Sequence, residues 1–308
     1  MSDKNLLIIL GATAVGKTQL AVQLANTFDG EIISADSRQV FKGMDIGTGK
    51  DLSEYEIGGL KIPYHLIDIK NAGERYQVNA FKEDFYKAFE LISSKKKIPI
   101  LCGGTGMYIH SLLQNHELTA IPVNDILRAT LLQFDKLQLQ NKLNEYPIAY
   151  RKQADLSSSK RLIRAIEIAE YLSNNEQVPI SRPEIKPFVI GLYNDVETRR
   201  AKILKRLDDR LANGLIAEVK TLLNQGVSAE MLVFYGLEYK FVVSYLNNEI
   251  DFGTLRERLG IAICQFAKRQ MTFFRKMEKD GVQINWIEVE GYSEEVSRKA
   301  MELVEHNF

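Results

Sequence analysis

The chain has few cysteines, no excess of either charge and no long hydrophobic run. Its 308 residues include two cysteines, Cys102 and Cys264, and neither adjoins another cysteine or a histidine. We therefore expect neither a disulfide framework nor a zinc site. Lys plus Arg and Asp plus Glu number 40 each. A net charge of zero argues against wholesale attraction to nucleic acid or to an anionic membrane, but it permits a local basic patch.

The absence of a membrane-length apolar segment indicates a protein that works in solution. The N-terminal apolar run is too short for a signal peptide. Hydrophobic residues make up 45% of the chain and charged residues 26%, which is enough to build a core and keep the surface polar. We expect a cytoplasmic monomer without a membrane partner.

Short apolar runs alternate with helical patterns, which predicts an α/β fold with a parallel sheet flanked by helices. The runs expected to form strands are 5–10, 31–35, 98–102, 188–193 and 284–289. Helical patterns cover 17–27 and 79–95, and 195–280 is mostly long helices. Residues 114–158 are polar and rich in Gln and Leu. They predict an inserted helical subdomain, with 1–113 and 159–308 forming a catalytic domain that ends in a helical C-terminal region.

The stretch "GATAVGKT" follows the first predicted strand and fits the phosphate-binding pattern G-x-x-x-x-G-K-[ST] at every fixed position. Its backbone N–H groups and the dipole of the following helix would hold an anion, with a Lys charge and a Thr hydroxyl for Mg2+. The residues of this loop are Gly11, Ala12, Thr13, Ala14, Val15, Gly16, Lys17 and Thr18.

The loop does not specify which phosphate compound binds. Nucleotide hydrolases usually have a second apolar strand that ends in an Asp supporting magnesium. Here "IPILC" runs into Gly103 and Gly104, and Asp68 follows only a short apolar stretch. A triphosphate is therefore not compelled, since a diphosphate would satisfy the same loop.

Two further groups of residues follow predicted strands. Asp36 follows the second strand, with Ser37, Arg38 and Gln39 beside it. Because ligands gather at the carboxyl ends of parallel strands, we expect Asp36 to face the phosphate loop. The alternative is that Asp36 or Ser37 only caps a helix. The third strand ends in "GGTG", where Thr105 offers a hydroxyl between glycines, and it predicts a third wall of one pocket.

Three helical segments carry basic residues at helical spacing. Lys160 and Arg164 share one face, while their neighbour Ile163 is expected to pack in a core. The other two sets are Lys202, Arg206 and Arg210, and Lys268, Arg275, Lys276 and Lys279. A solvated face is the simplest explanation of any single set. Together they favour an anionic macromolecular partner or diphosphate anchoring. We expect Phe266, Phe273 and Phe274 to be core residues.

The motifs "GATAVGKT", "ISADSRQVFKGMDIGTGK", "YHLIDI", "GGTGMYI", "KRLIRAIEI", "GLIAEV" and "FAKRQMTFFR" occur in this order. Together they resemble the tRNA dimethylallyltransferase (isopentenyltransferase) family over nearly the whole chain. The resemblance implies that the phosphate loop holds dimethylallyl diphosphate. It also implies transfer of the dimethylallyl group to the exocyclic amine of an adenine beside the anticodon of tRNA.

The resemblance further implies roles for particular residues. Asp36 would be the general base, and Lys17, Thr18 and Thr105 would act on the diphosphate, with Mg2+ near Thr18. The implied tRNA-contacting residues are Asp36, Ser37, Arg38, Gln39, Thr105, Arg128, Lys160, Arg161, Leu162, Ile163 and Arg164.

Three other functions are compatible with parts of the sequence. A small-molecule or nucleotide kinase would use the same loop for ATP, but it usually needs an Arg-rich lid, and 114–158 contains only Arg128 and Arg151. A prenyltransferase acting on a free adenine nucleotide would leave the basic helices without a purpose. An RNA-binding protein with a decayed loop is disfavoured by intact Lys17, Thr18 and Asp36.

Overall fold

The computed structural model describes residues 5–114, 118, 121–152, 154–175, 182–290 and 294–308. The chain divides into two compact units, Met1–Gln114 with Pro183–Phe308, and Asn115–Arg182. Within the described ranges, no helix is both long and apolar enough to cross a membrane.

The N-terminal part of the first unit alternates strands with helices, as the apolar runs predict. Its strands are β1 (Leu6–Gly11), β2 (Gly30–Ser34), β3 (Phe41–Lys42), β4 (Glu56–Ile57), β5 (Leu60–Lys61), β6 (Tyr64–His65), β7 (Lys70–Asn71) and β8 (Ile98–Gly103). Its α-helices are α1 (Lys17–Thr27), α2 (Val78–Ser94) and α3 (Gly106–Leu113), and a short 3-10 helix covers Leu52–Tyr55. The predicted helices 17–27 and 79–95 are confirmed to within one residue at each end.

The second unit is helical, as its Gln- and Leu-rich composition predicts. It contains α4 (Asp125–Leu131), α5 (Lys136–Asn144), α6 (Ile148–Arg151) and α7 (Ser159–Asn174). Its core includes Leu131 and Leu139 from the predicted insertion and Leu162 and Ile166 from α7. The predicted boundary at 158/159 therefore falls too early, because the apolar face of α7 completes this small core.

The rest of the first unit returns to the sheet and then becomes helical. It contains β9 (Pro187–Tyr193), α8 (Val196–Ala212), α9 (Leu215–Asn224), α10 (Ala229–Tyr235), α11 (Leu237–Leu246), α12 (Phe252–Lys279), β10 (Asn285–Glu288) and α13 (Glu294–Asn307). The predicted run of long helices over 195–280 is thus confirmed.

The main sheet has six strands in the order β10-β9-β1-β8-β2-β6. Neighbouring strands are parallel, and all five predicted strands belong to this sheet. Parallel strands need both faces covered, which is why their sequences are continuously apolar. The expected fold, a parallel α/β sheet with an inserted helical subdomain and C-terminal helices, is confirmed.

Side chains of β1 alternate between two cores. Leu6, Ile8 and Leu10 face a core that α2, α3 and α12 complete. Leu7 and Ile9 face the opposite core with residues of α1 and α13. Burial on both faces fixes the register of the strands, and therefore fixes where the loops leave the sheet.

Candidate active site

Three loops leave neighbouring strands at the same edge of the sheet. Leu10 of β1 pairs with Gly103 of β8, and Ser34 of β2 pairs with Cys102 of β8. The phosphate loop, the Asp36 segment and the "GGTG" segment therefore begin side by side, as the rule on parallel sheets predicts.

The phosphate loop turns sharply between β1 and α1. Gly16 precedes the helix with φ 91°, a left-handed conformation that favours glycine. Ala12 and Val15 are buried, so any diphosphate contact by these residues would come from their backbone amides. Lys17 Nζ donates to the Ala12 carbonyl at 2.8 Å. Burial lowers the pKa of Lys17 from its usual value, while Asp36 and Cys102 oppose that shift.

The side chains of Asp36 and Thr105 both accept hydrogen bonds from backbone amides of the turn after β2. Asp36 Oδ1 accepts a hydrogen bond from the Arg38 amide at 2.8 Å, and Thr105 Oγ1 accepts one from the Ser37 amide at 3.2 Å. A Cβ at Gly103 would lie 2.3 Å from the Ala35 carbonyl oxygen, so only glycine permits this approach of the two loops. The polar turn after β2 is therefore held against the third loop.

A cleft in the first unit brings six of the predicted site residues together, from the phosphate loop, the Asp36 segment and the "GGTG" segment. Its walls include Thr13, Lys17, Asp36, Ser37, Arg38, Gly104 and Thr105. Gln39 is engaged elsewhere: its side chain accepts from the Ser34 hydroxyl and donates to the Gly49 carbonyl. The structure thus gives Gln39 a role in holding the loop around Gly49.

Gln270 of α12 connects two of these loops and was not singled out from the sequence. Its Oε1 accepts from the Thr13 amide at 3.0 Å, and its Nε2 donates to the Gly104 carbonyl at 2.9 Å. The contact with Thr13 spans 257 positions of the chain. Gln270 lies within the "FAKRQ" motif, but no local pattern indicates its partners.

The basic face of α8 adjoins the cleft, so a purely solvated face is wrong for this helix. Arg210 lines the cleft, and its Nη1 lies 3.7 Å from Glu238 Oε1. Burial, together with repulsion by Arg206, lowers the pKa of Arg210 to about 10. Burial also raises the pKa of Glu238. Arg206 donates to the Gly49 carbonyl at 3.4 Å.

Glu218 of α9 holds the loop that carries Gly47 and Thr48 into the cleft. Its carboxylate accepts from the amides of Asp45, Ile46 and Gly47 at 2.8, 2.6 and 3.1 Å. The Tyr239 hydroxyl donates to the same carboxylate at 2.8 Å. These four bonds explain the Glu of the "GLIAEV" motif as a group that fixes loop geometry.

Buried Lys50 holds the same loop from its other end. Its ammonium donates to the Phe41 carbonyl at 2.8 Å and to Asp45 at 2.7 Å, and it also bonds to Asp68. Asp68, the carboxylate considered above as a possible magnesium support, is therefore engaged with Lys50.

The prediction that Phe266 is a core residue is wrong, whereas the same prediction for Phe274 is confirmed. Phe274 is fully buried, but Phe266 is 42% exposed and lines the cleft. The sequence pattern predicts that both residues lie on one helix, α12. Only the packing of that helix determines which of the two rings faces the cleft. Phe273 is half-buried and approaches Gly106.

The oxygen atoms near the start of α1 suit a magnesium ion. Burial raises the pKa of Glu54, and a hydrogen bond with the Thr18 hydroxyl opposes that rise. Within the described ranges, no cluster of three or more His, Cys, Asp or Glu side chains could hold a metal. The Thr18 hydroxyl and the Glu54 carboxyl bring together oxygen atoms, the ligand type of Mg2+, which commonly takes one or two protein ligands and completes its shell with phosphate and water.

The remaining predicted contacts lie in the second unit, and the structure places the side chains of two of them in its core. Leu162 and Ile163 are 0% and 4% exposed, so their side chains are packing groups and not RNA contacts. Arg164 donates to the Ile121 carbonyl at 2.6 Å and lies 3.5 Å from buried Glu167. Arg128 pairs with the same carboxylate at 2.6 Å. Both arginines therefore stabilise the unit.

Lys160 and Arg161 remain on the surface of the second unit. Lys160 is exposed, and the Arg161 guanidinium bonds to exposed Asp155 at 2.6 Å. Ser158 caps α7 by accepting a hydrogen bond from the Arg161 amide, and the first residues of the helix are exposed.

Two protein-family models match overlapping parts of the chain. The IPP transferase model matches residues 39–277, and the isopentenyl transferase model matches residues 4–68. The chain belongs to the IPP transferase family. The two matches together include the phosphate loop, Asp36 and Gln270, so the family covers the whole cleft.

Curated relatives extend over nearly the full chain. The chain is 50% identical to tRNA dimethylallyltransferase 2 of Porphyromonas gingivalis over 92% of its length and 93% of that protein. It is 47% identical to tRNA dimethylallyltransferase 1 of the same species over 98% of its length and 100% of that protein.

Solved structures share the fold. A tRNA isopentenylpyrophosphate transferase from Staphylococcus epidermidis superposes with a TM-score of 0.69 at 30% identity, covering 98% of this chain and 100% of that one. A eukaryotic dimethylallyltransferase acting on tRNA gives a TM-score of 0.77 at 24% identity, covering 97% and 78%. At that identity the second likeness concerns the fold alone.

Proposed function

We propose that this protein transfers the dimethylallyl group of dimethylallyl diphosphate to the exocyclic amine of an adenine beside the anticodon of tRNA, releasing diphosphate. The observation that carries the proposal is one cleft in which Asp36 lies with the phosphate-loop residues Thr13 and Lys17. The names of its relatives, tRNA dimethylallyltransferases, support the same reaction.

Asp36 acts as the general base. The exocyclic amine of adenine is a weak nucleophile, because its lone pair is delocalised into the ring. A carboxylate that accepts the amine proton as the C–N bond forms raises the reactivity of the nitrogen. The Arg38 amide, at 2.8 Å from Oδ1, orients the carboxylate for this role.

The phosphate loop stabilises the leaving group. As the bond between the allylic carbon and oxygen breaks, negative charge develops on the diphosphate. Backbone N–H groups of residues 11–18 and the Lys17 ammonium provide fixed positive charge at that point. The Thr105 hydroxyl also accepts a hydrogen bond from the Ser37 amide. Thr105 thus connects the part of the cleft that binds the adenine to the part that binds dimethylallyl diphosphate.

Mg2+ would be held by the Thr18 hydroxyl, with Glu54 beside it, and by the diphosphate itself. When bound, the ion would neutralise part of the charge on the leaving group.

The RNA contacts that we propose in the second unit are Lys160 and Arg161 at the exposed start of α7. In the first unit Ser37 and Arg38 adjoin Asp36 and would position the adenine. We further propose that the protein is a monomer and acts in the cytoplasm, where its tRNA substrate is found.

Mass spectrometry of tRNA nucleosides tests the function directly. We expect incubation with dimethylallyl diphosphate and Mg2+ to add one dimethylallyl group to an adenosine, and Lys17→Ala to reduce this product. Titration calorimetry with ATP provides the contrast, since a kinase would bind ATP at the same loop. Unmodified tRNA together with tight ATP binding would overturn the proposal in favour of a kinase.

A further inference from the structure

Phe234 presents an aromatic ring at the end of α10. The ring is 54% exposed, and the preceding Val233 is 42% exposed. The next residues, Tyr235 and Gly236, line the cleft that contains Asp36. A single exposed apolar residue is ordinary on a protein surface. This one is unusual because it lies at the edge of a catalytic cleft and because two arginines flank it.

Arg38 and Arg75 both approach the Phe234 ring. The guanidinium carbon of Arg38 lies 5.7 Å from the ring centroid, and that of Arg75 lies 5.8 Å from it. Arg38 also donates to the Phe234 carbonyl at 3.1 Å. These separations are within the cation–π range of about 6 Å, yet Arg75 itself remains exposed.

Tyr235 fixes the arrangement. Its hydroxyl accepts from the Gly73 amide at 2.7 Å and donates to the Glu74 carbonyl at 2.6 Å. Its ring packs on Phe41 at a centroid distance of 4.4 Å. The segment that carries Arg75 is thereby held against α10, so the exposed ring and its arginine form a preorganised surface.

We propose that Phe234 and Arg75 stack on an unpaired base of the RNA substrate, next to the adenine that enters the cleft; this rests on the proposed function. Unpaired RNA bases are commonly stacked on aromatic rings and on guanidinium planes. When the target adenine leaves its stack, its neighbour loses a stacking partner. A ring beside the cleft replaces that partner.

The spacing of the two groups suits this role. A base stacked between the ring and the guanidinium makes van der Waals contact on both sides, so the two groups must lie about 7–8 Å apart. At present the Arg75 guanidinium carbon lies 5.8 Å from the Phe234 ring centroid. An outward shift of the exposed Arg75 side chain by about 1–2 Å would admit a base between the two groups. Arg38 remains bonded to the Phe234 carbonyl and keeps the helix end in place.

The test compares Phe234→Ala and Phe234→Trp with the parent on an anticodon stem-loop RNA. We expect Phe234→Ala to raise KM for RNA roughly 5- to 150-fold, the range expected for loss of one base–aromatic stack. KM for dimethylallyl diphosphate should not change. The Phe234→Trp variant should keep most of the RNA affinity of the parent. The matched control is Phe252→Ala, which removes a ring of similar exposure, 47%, that packs against Tyr245.

A fluorescent adenine analogue, 2-aminopurine, at the nucleotides flanking the target reports stacking without chemistry. We expect parent protein and Phe234→Trp to quench one flanking position, and Phe234→Ala to leave it bright. Parent-like RNA affinity and quenching in Phe234→Ala would overturn the proposal. So would an equal loss in Ala and Trp variants accompanied by a lower melting temperature, which indicates a structural role. Quenching by a parent that transfers no dimethylallyl group would support this surface and refute the proposed function.

Discussion

At the residue scale, Asp36 uses one carboxylate oxygen to accept a hydrogen bond from the Arg38 amide. A residue that only caps the turn would make the same bond, so the geometry fits both a general base and a cap. The substitution Asp36→Asn distinguishes these two roles, because an Asn side chain keeps the accepting Oδ1 but cannot take up the amine proton.

We expect Asp36→Asn to slow the chemical step roughly 100- to 10,000-fold, the usual contribution of general base catalysis. Binding of tRNA and of dimethylallyl diphosphate should change little. Single-turnover transfer measures the step. Asp195→Asn is the matched control, since Asp195 caps α8 by accepting from the Glu197 and Thr198 amides. A rate within a few-fold of the parent would remove Asp36 from the mechanism.

Lys17 gives a pH-dependent prediction. Burial lowers its pKa in the free protein, and a bound diphosphate would raise that pKa again by favouring the charged form. Above the lowered pKa, donor binding should therefore take up as much as about one proton, and affinity should fall as pH rises. At a pH below the lowered pKa, Lys17 is charged with or without bound diphosphate, so it should add no pH dependence to donor affinity.

Titration calorimetry in two buffers of different ionisation enthalpy measures the proton uptake at alkaline pH. The Lys17→Met variant is the comparison, because it retains the length of the side chain without its charge. Equal proton uptake by the variant and the parent would show that another group titrates.

At the scale of the element, α7 carries two basic residues four positions apart with different roles. Lys160 is exposed and Arg164 is half-buried, where it bonds to the Ile121 and Pro122 carbonyls. Sequence spacing alone gives the two residues the same face and cannot distinguish a solvent-facing first turn from a packed second turn.

We expect Lys160→Glu to weaken tRNA binding and to leave the free energy of unfolding within about 0.5 kcal/mol of the parent. Arg164→Glu should instead lower that free energy by about 1–3 kcal/mol, since it removes bonds to two carbonyls and adds a carboxylate near buried Glu167. Urea denaturation and filter binding measure the two quantities. A stable Arg164→Glu variant with impaired tRNA binding would return Arg164 to the RNA interface.

At the scale of the whole molecule, a net charge of zero means that an RNA interface must rely on local basic surfaces. Arg38 and Arg210 line the cleft, Arg206 bonds to the Gly49 carbonyl, and the second unit exposes Lys160 and Arg161. Long-range attraction is weak for such a molecule, whereas contact with phosphates still releases counterions.

We therefore expect tRNA affinity to fall linearly with the logarithm of salt concentration. The slope for Lys160→Glu should be shallower by about one, as expected when a phosphate contact is lost. Affinities measured across a series of KCl concentrations give both slopes. Affinity that does not depend on salt would contradict an electrostatic RNA interface.

The sequence by itself determined the sheet, the phosphate loop and the position of Asp36 relative to that loop. Continuous apolar runs define buried parallel strands, and the ends of parallel strands share one edge. Each of these inferences depends on residues close together in the chain, where spacing and backbone geometry suffice.

Only the tertiary structure decided which helix faces reach the cleft and which residues serve the core. Phe266 faces the opening, Arg164 is used inside the second unit, and Gln270 bonds to a loop 257 positions away. Helical periodicity gives a face but not its neighbour, because the neighbour depends on how α8, α10 and α12 pack. Contacts between distant segments leave no local pattern from which they could be predicted.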